Sequence, residues 1–501
     1  MMVKTRMKAT AGDAKPPDTN SSHPLMKPTN VLIILSDEHQ SGLMGCAGHA
    51  ALQTPNLDAL AKRGTRFCNA YTPSPICVPA RASLATGRYV HDIGCWDNAI
   101  AYQGTPPGWA QYLCDAGLLA ESIGKLHYRD AASPVGFRHQ HHAVHILDGI
   151  GQVWGSVRNP LPETMGRSPL YDKIGAGTSD YNRFDERVAD RAVQWLGEHA
   201  NDKQPWVLFV GLVAPHFPLI VPAEYLDRYP LESIALPKLH PSSGYRRHPW
   251  VERQARHMDH DAAIGSDERR RLAIASYFGL VTFMDAQVGK ILGALSLNSL
   301  AEATTVIYSS DHGDNLGKRG MWNKCLLYRE STSIPMIVAG PGIPGDKLSN
   351  TPVSLVDIQN TVLQCTHCAG APLDGPGHSL VELARAPDMP ERLAFSEYHA
   401  VGSEAAAYML ADAHYKYHHY VGLPPELFDL ERDPEELENV AARPAYAEVL
   451  QVFEARLKTL LDPEAVDAMA KADQERLVRA FGGREAALRT GTPAATPVPQ
   501  A

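Results

Sequence analysis

Cys77, Pro79 and Arg81 stand in the string ICVPARASLATGR, residues 76–88, at a spacing that can do chemistry. A thiol reacts as its thiolate and needs an electropositive, partly exposed setting. Arg81, one helical turn beyond Cys77, can supply that charge. Pro79 suits the first turn of a helix, where its missing N–H costs nothing. The spacing therefore predicts a short helix over 80–86, with Cys77 at or just before its N-terminus. Such a place favours an activated nucleophile and an anionic substrate. Taken alone, the stretch also fits a buried Cys acting as a small apolar residue.

Other chemically able side chains directly follow apolar runs. TNVLIILS, residues 29–36, is continuous and rich in β-branched residues, which predicts a central strand covered on both faces. Asp37, Glu38 and His39 follow at its carboxyl end, where open α/β sheets place ligand sites. Carboxylates there suit a hard divalent cation; a solvated loop or a helix cap is the plainer alternative. TTVIYSS, residues 304–310, is a second core strand, followed by Asp311, His312, Gly313 and Asp314. That pattern is half of a metal site. A strand over 118–126 runs into Lys125 and His127, which alternation would put on one side. A fixed cation can orient an oxygen there while an imidazole moves protons. PWVLFVGLV, residues 205–213, is another buried strand, and His216 beyond it is open to a structural or a functional role.

Elements that must position these residues are legible in outline. Helices are expected from Pro55 to about Gly64, over 185–198, over 268–295 and over 356–366, with short strands at 67–71 and 334–339. Residues 151–179 and 222–267 are irregular and Pro-rich, and read as a lid or substrate-side insertions. His139, His141, His142 and His145 show no metal-ligand spacing and read as a solvated loop. Cys365 and Cys368 form a C-x-x-C with no second pair, read as structural. The chain changes character in a Gly- and Pro-rich linker at 372–390. Short strands follow over 392–428, and residues 444–481 are helical in pattern.

Length and composition bound the function. The chain has 501 residues, enough for a large domain plus a smaller one. Its net charge of −9 argues against a nucleic-acid partner. The 8 Cys are scattered and imply no disulfide framework. Residues 1–29 are polar and lack the apolar core of a secretory signal, and no run reads as long and apolar enough to span a bilayer. The expectation is a cytoplasmic protein with no membrane partner and disordered ends at 1–29 and 482–501.

The Cys77–Arg88 string, C-x-P-[SA]-R followed by T-G-R, resembles the signature of type I sulfatases of the alkaline phosphatase superfamily. The resemblance continues in T-P-N-L-D-x-L at 54–60, G-K-x-H at 124–127, P-H-x-P at 215–218, D-H-G-D at 311–314, a G-x-x-G-x-W-x-K string at 317–324 and LFDLERDPEEL at 427–437. It implies an α/β fold: a large mixed, mostly parallel sheet sandwiched by helices, with a smaller C-terminal α+β subdomain carrying an antiparallel sheet. The catalytic domain would span 30–372 and the subdomain 390–481. His312, where many arylsulfatases have Asn, points toward choline-sulfatase, iduronate-sulfatase and phosphonate monoester hydrolase-like members. Lys318 stands where the family commonly has Glu, and is expected to alter the local charge.

Family membership would make Cys77 the precursor of formylglycine (3-oxoalanine), converted by a formylglycine-generating enzyme. Asp37, Glu38, Asp311 and His312, with position 77, would hold one divalent metal: Ca2+ by family habit, with Mn2+ and Mg2+ as alternatives. Glu38 departs from the usual Asp or Gln. Arg81 and Lys125 would hold the hydrated aldehyde, and Asn98 would face the substrate's oxygens. His216 and Lys324 would stabilise the departing oxygen, and His127 would assist breakdown of the covalent intermediate. The implied reaction is hydrolysis of a small sulfate ester to an alcohol and sulfate. Alternatives are a phosphonate monoester or phosphodiester at the same site, and a non-catalytic binding protein. Relatives are often dimers or tetramers, so a homo-oligomer is expected.

Overall fold

Asn30–Asp37 forms the middle of an eight-stranded sheet because every residue from Val31 to Leu35 has a covered place to go. In this computed structural model, which describes residues 27–166, 169–372, 374–489 and 496–499, the strand is sealed on both faces. Leu32 and Ile34 enter one core; Val31, Ile33 and Leu35 enter the other. Fully burying each such side chain contributes about 1.5–3 kcal/mol. The expected extension at 1–29 lies, apart from residues 27–29, outside the described residues.

Across the sheet the strands run Lys347–Ser349, Thr65–Phe67, Met336–Ala339, Thr304–Ser310, Asn30–Asp37, Trp206–Pro215, Leu119–Lys125 and Gln140–Val144. All are parallel except Met336–Ala339, which is antiparallel to both neighbours. Ile33 pairs with Phe209 on one side and Ile307 on the other. One face carries the helices Pro55–Arg63, Asp180–Glu198 and Asp267–Leu297, and the other Cys77–Thr86, Trp109–Asp115 and Asp357–Cys365. The 31-residue helix Asp267–Leu297 is, by length and composition, apolar enough to cross a bilayer, contrary to the sequence reading. Its Tyr277, Phe283, Met284 and Val288 are buried in the core against the sheet.

A separate antiparallel sheet, Ala394–Tyr398, Ala407–Ala411, Tyr415–Tyr420 and Leu423–Asp429, follows in simple sequential order. Ala407, Met409 and Ala411 face Tyr71, Trp250 and Leu327, while Tyr408 and Leu410 face the helix Ala447–Leu460 through Phe453 and Leu457. Hydrogen bonds join this sheet to the segment after Thr304–Ser310: Lys416 Nζ donates to Thr332 Oγ1 at 2.9 Å, and the Arg329 backbone N–H donates to Glu436 Oε2 at 2.9 Å. Each side is braced by its own ion pairs, Lys416 on Glu436 at 2.9 Å and Lys318 and Arg319 on Glu330 at 2.6 and 3.1 Å. Lys318 shares Glu330 with Arg319 in a structural ion-pair cluster, which locates its altered local charge at Glu330.

Three other expectations are corrected. The strand expected at 67–71 is two strands, Thr65–Phe67 and Ala70–Tyr71, each pairing in a different sheet. The histidine loop is partly an edge strand, Gln140–Val144, and His139 and His141 both meet Glu121. Their polarity hid a strand because its partner carboxylate comes from the next strand. Within the tail at 482–501, Arg484–Arg489 is helical with Ala487 buried beside Val153, and Val498 packs into the main core. Single anchoring residues leave no periodic signal. Residues 490–495 and 500–501 lie outside the described residues.

Gly124 and Gly211 pair across two strands just before Lys125. A Cβ on Gly211 would lie 2.2 Å from the Lys125 carbonyl oxygen, and one on Gly124 2.2 Å from the Gly211 oxygen. Overpacking of this kind costs about 1–3 kcal/mol. Gly211→Ala is expected to lower unfolding free energy by that amount in denaturant titration, and to lower kcat by displacing Lys125.

Candidate active site

The carboxyl ends of four parallel strands deliver the polar residues to one place. Asp37 ends Asn30–Asp37, Asp311 and His312 follow Thr304–Ser310, Lys125 ends Leu119–Lys125 and His216 follows Trp206–Pro215. Helix Cys77–Thr86 enters from the sheet's second face with Cys77 as its first residue, and every residue of it is buried. Its first turn has no side-chain cap from Ile76; instead the Val78 N–H donates to Asn98 Oδ1 at 3.1 Å. Asn98 thus spends its oxygen on the helix and keeps only its amide N–H groups for another partner.

Arg81 binds the strand ends together. Its Nε donates to Asp311 Oδ2 at 2.8 Å, Nη2 to Asp37 Oδ2 at 3.0 Å and Nη1 to the Lys125 carbonyl at 2.7 Å. Lys125 Nζ closes the ring on Asp37 Oδ2 at 2.6 Å. Lys324 arrives from the long loop after Asp311 and places Nζ 3.3 Å from both Cys77 Sγ and Glu38 Oε2. Glu38 sits in the left-handed region at φ 70°, uncommon for a residue with a side chain. Its N–H donates to Asp311 Oδ1 at 3.1 Å, and Tyr277 Oη donates to its carbonyl.

Both imidazoles have their tautomer set by a backbone carbonyl. His312 Nδ1 donates to Gly313 O at 3.1 Å and His216 Nδ1 to Phe217 O at 2.6 Å, since a carbonyl only accepts. His312 Nε2 lies 3.2 Å from Cys77 Sγ, 3.7 Å from Asp311 Oδ1 and 3.9 Å from Asp37 Oδ1. His216 Nε2 lies 3.6 Å from Glu38 Oε2 and 3.9 Å from Asp37 Oδ1. Asp37, Cys77, Asp311 and His312 form one convergent ligand set, and Asp37, Glu38 and His216 a second that shares Asp37.

Burial and charge decide the protonation states. Burial opposes the Asp37 carboxylate, but Lys125, His216, Arg81 and Lys324 outweigh it and hold Asp37 well below the usual range. Burial pushes Glu38 well up despite Lys324, and its Oε1 has no hydrogen-bond partner among the described residues. Burial opposes the Lys324 ammonium too, but Cys77, Glu38, Asp37 and Asp311 hold it well above its ordinary value. Burial, then Lys324 and Lys125, push His216 well down. Cys77 is pushed up by burial and then by Asp37, so the thiol stays protonated. This corrects the reading of Arg81 as an activator of a thiolate: its guanidinium is committed to Asp37 and Asp311, and Cys77 is only 1% exposed.

His127 stands apart from Lys125 rather than beside it. The strand stops at Lys125, and His127 adopts φ 57°, which breaks the alternation. It lines a small cleft with Val78, Asn98 and Gln152. Its Nε2 meets Thr496 Oγ1 at 2.8 Å, its Nδ1 is buried without a partner among the described residues, and burial followed by Lys125 and Arg81 push its pKa well down. The sequence reading missed several neighbours. Asp314 lies buried beside Glu38; the D-H-G-D string contained it but gave it no role. Phe217 places its ring under Lys324 Nζ at 5.2 Å. Tyr181 donates to the Thr496 carbonyl at 2.6 Å, a contact between distant segments with no local signal.

A buried cluster of carboxylates, imidazoles and cations at the carboxyl edge of a mixed α/β sheet is fit to hold a divalent cation and an anionic ligand. Comparison with known proteins narrows that reading. Residues 29–368 match the Sulfatase family model, and 317–462 match the model for the N-sulphoglucosamine sulphohydrolase C-terminal region. The chain is 30% identical over 479 residues to a choline-sulfatase of Rhizobium meliloti (strain 1021), covering 89% of this chain and 90% of that one. It is 29% identical over 470 residues to arylsulfatase K of Danio rerio, covering 87% and 84%. A solved phosphonate monoester hydrolase of Agrobacterium radiobacter shares the fold with a TM-score of 0.71 at 24% identity, over 88% of this chain and 96% of that one. The chain belongs to the sulfatase family. It is a sulfuric ester hydrolase.

Arg81→Ala would leave Asp37 and Asp311 buried without their guanidinium, a change that costs about 3–5 kcal/mol. Thermal and chemical denaturation should show that loss together with lost activity. Stability within about 0.5 kcal/mol of the parent, the range of an ordinary surface substitution, would contradict the bridging role.

Proposed function

We propose that the protein hydrolyses a sulfate ester of a small organic alcohol through formylglycine at position 77 and one divalent metal. The observation that carries this reading is the facing of two imidazole lone pairs, His312 Nε2 and His216 Nε2, toward carboxylate oxygens 3.6–3.9 Å away. Acceptors that face one another need a cation between them. The donor set fits one: Asp37, Asp311 and His312 around position 77, with the unpartnered Glu38 Oε1 adjoining them. Carboxylate oxygens favour Ca2+, the imidazole leaves Mn2+ open, and Mg2+ is the further alternative that the resemblance implies. Bound there, a divalent ion supplies positive charge for the ester's oxygens and acidifies a hydroxyl it touches. Formylglycine, formed from Cys77 by a formylglycine-generating enzyme, supplies as its hydrate a hydroxyl nucleophile in place of a thiol.

The chain's own residues account for the rest. Arg81, Lys125 and Lys324 face the carboxylates of Asp37 and Asp311 and the Glu38 and Asp314 carboxyls, which burial pushes up, so a bound divalent ion adds positive charge for an anionic ester. Arg81 and Lys125 fix Asp37 and the atoms around position 77 and exclude water from them. Lys324, charged and 3.3 Å from the position-77 side chain, stabilises the departing oxygen. His216, neutral with Nδ1 committed to Phe217, presents Nε2 to the same region. Asn98 offers its amide N–H groups to the sulfuryl oxygens. His127, kept neutral, accepts the proton released when sulfate is expelled.

The Cys77-containing peptide from protein made in its native host is expected to weigh about 18 Da less than its sequence predicts, the change from thiol to aldehyde that creates the covalent nucleophile; unmodified Cys77 in active enzyme would contradict this mechanism. Cys77→Ala should abolish turnover, and chelation should remove it reversibly. Paired aryl sulfate and phosphonate monoester substrates decide the substrate class; a higher kcat/KM for the phosphonate would replace the sulfate reading. A depressed His127 pKa keeps the imidazole neutral as pH falls, so kcat, which includes the expulsion of sulfate, should stay level through about pH 6.5, the ordinary imidazole value, and decline only below it.

A further inference from the structure

Glu121, His139 and His141 gather at the far edge of the main sheet, outside the catalytic cluster. Glu121 belongs to the strand Leu119–Lys125, and His141 to the edge strand Gln140–Val144 beside it. His139 immediately precedes that edge strand and is two residues from His141, so both rings reach the same side. His139 Nδ1 lies 2.7 Å from Glu121 Oε1, and His141 Nε2 lies 2.9 Å from Oε2. The three ligand atoms lie within 4.8 Å of one another.

Surroundings favour a cation there. The Glu121 side chain is only 5% exposed, whereas that of His139 is 63% exposed, so the carboxylate is withdrawn but the site opens to solvent. Among the described residues, the ion-pair partners of Glu121 are His139 and His141, with no Lys or Arg. Trp195 Nε1 donates to Glu121 Oε2 at 2.8 Å and holds the carboxylate in place. Nitrogen–oxygen separations of 2.7 and 2.9 Å are short of the roughly 3.3 Å between neighbouring ligands of a tetrahedral ion with bonds of about 2.0–2.1 Å. Entry of an ion therefore requires both the exposed His139 ring and the half-buried His141 ring to draw back slightly from Glu121.

We propose that Glu121, His139 and His141 form a second metal site, for a borderline divalent ion of the Zn2+ type, with water as the remaining ligand. Two imidazoles and one carboxylate are the donor set such ions prefer, and hard Ca2+ would not select it. Each neutral imidazole binds through the nitrogen that faces Glu121 and carries its single N–H on the other ring nitrogen, a tautomer shift with no net loss of a proton and no redox change. The ion ties the edge strand to the strand that ends in Lys125. Its role is therefore to fasten the sheet edge, not to take part in the ester chemistry.

The test is Zn2+ titration by calorimetry on the full-length, Ca2+-saturated enzyme, comparing the parent with His139→Ala, His141→Ala and the double variant. Presaturation separates this site from the catalytic cluster. The parent should bind one Zn2+ that the double variant lacks, each single variant should bind it at least about tenfold more weakly, and Co2+ in its place should show the intense visible bands of a tetrahedral site. Activity of the double variant toward an aryl sulfate should stay within about twofold of the parent. Equal Zn2+ stoichiometry in the parent and the double variant, or no Zn2+ uptake by the Ca2+-saturated parent, overturns the proposal. The exposed His139 makes its single variant the safe one to fold; if the double variant fails to fold, His139→Ala alone decides.

Discussion

One guanidinium holds the site together. Arg81 reaches from a helix on one face of the sheet to Asp37, Asp311 and the Lys125 carbonyl, which belong to or adjoin three different strands. Those strands would stay in register without it, because their apolar faces and ladders specify the sheet. The carboxylates at their ends would not converge. Two buried carboxylates a few ångströms apart repel strongly in a low-dielectric interior. Arg81 and Lys125 turn that repulsion into a preorganised pair of carboxylates, so their convergence and the placement of position 77 share one cause.

This arrangement also explains why the residue at position 77 is unpromising as a thiol. The groups that would lower a thiol's pKa are already committed: Arg81 to the aspartates and Lys125 to Asp37, with Lys324 shared with Glu38. Burial then pushes the thiol up. A site built to stabilise anionic oxygens around a fixed helix N-terminus serves an oxygen nucleophile better than a sulfur one. The same positive charge, once a divalent ion is present, suits a substrate whose charge is spread over several oxygens.

Distant segments close the site. The loop carrying Lys324 is anchored by Lys318 and Arg319 on Glu330, and the C-terminal sheet fastens that region through Lys416 and Glu436. Thr496, near the end of the chain, meets His127, and Tyr181 holds the Thr496 carbonyl. The small sheet and the segment around Thr496 therefore brace side chains near position 77.

Much was legible in the sequence because it is local. Unbroken apolar runs marked the strands at 30–37, 206–215 and 304–310, and the residues just beyond them marked the ligand edge, since a parallel strand must deliver its carboxyl end to the loops. Cys77, Pro79 and Arg81 declared a helix start by spacing alone. Contacts between remote segments were not legible. The commitment of Arg81 to two aspartates, the pairing of Lys318 with Glu330, the use of the Asn98 oxygen as a helix cap, the strand hidden in a run of histidines and the docking of Thr496 on His127 all join residues whose partners no local pattern names. Periodicity reports which face of an element is covered. It does not report which charge or hydrogen bond covers it, because that depends on how the strands are ordered across the sheet, and only the tertiary structure decides that order.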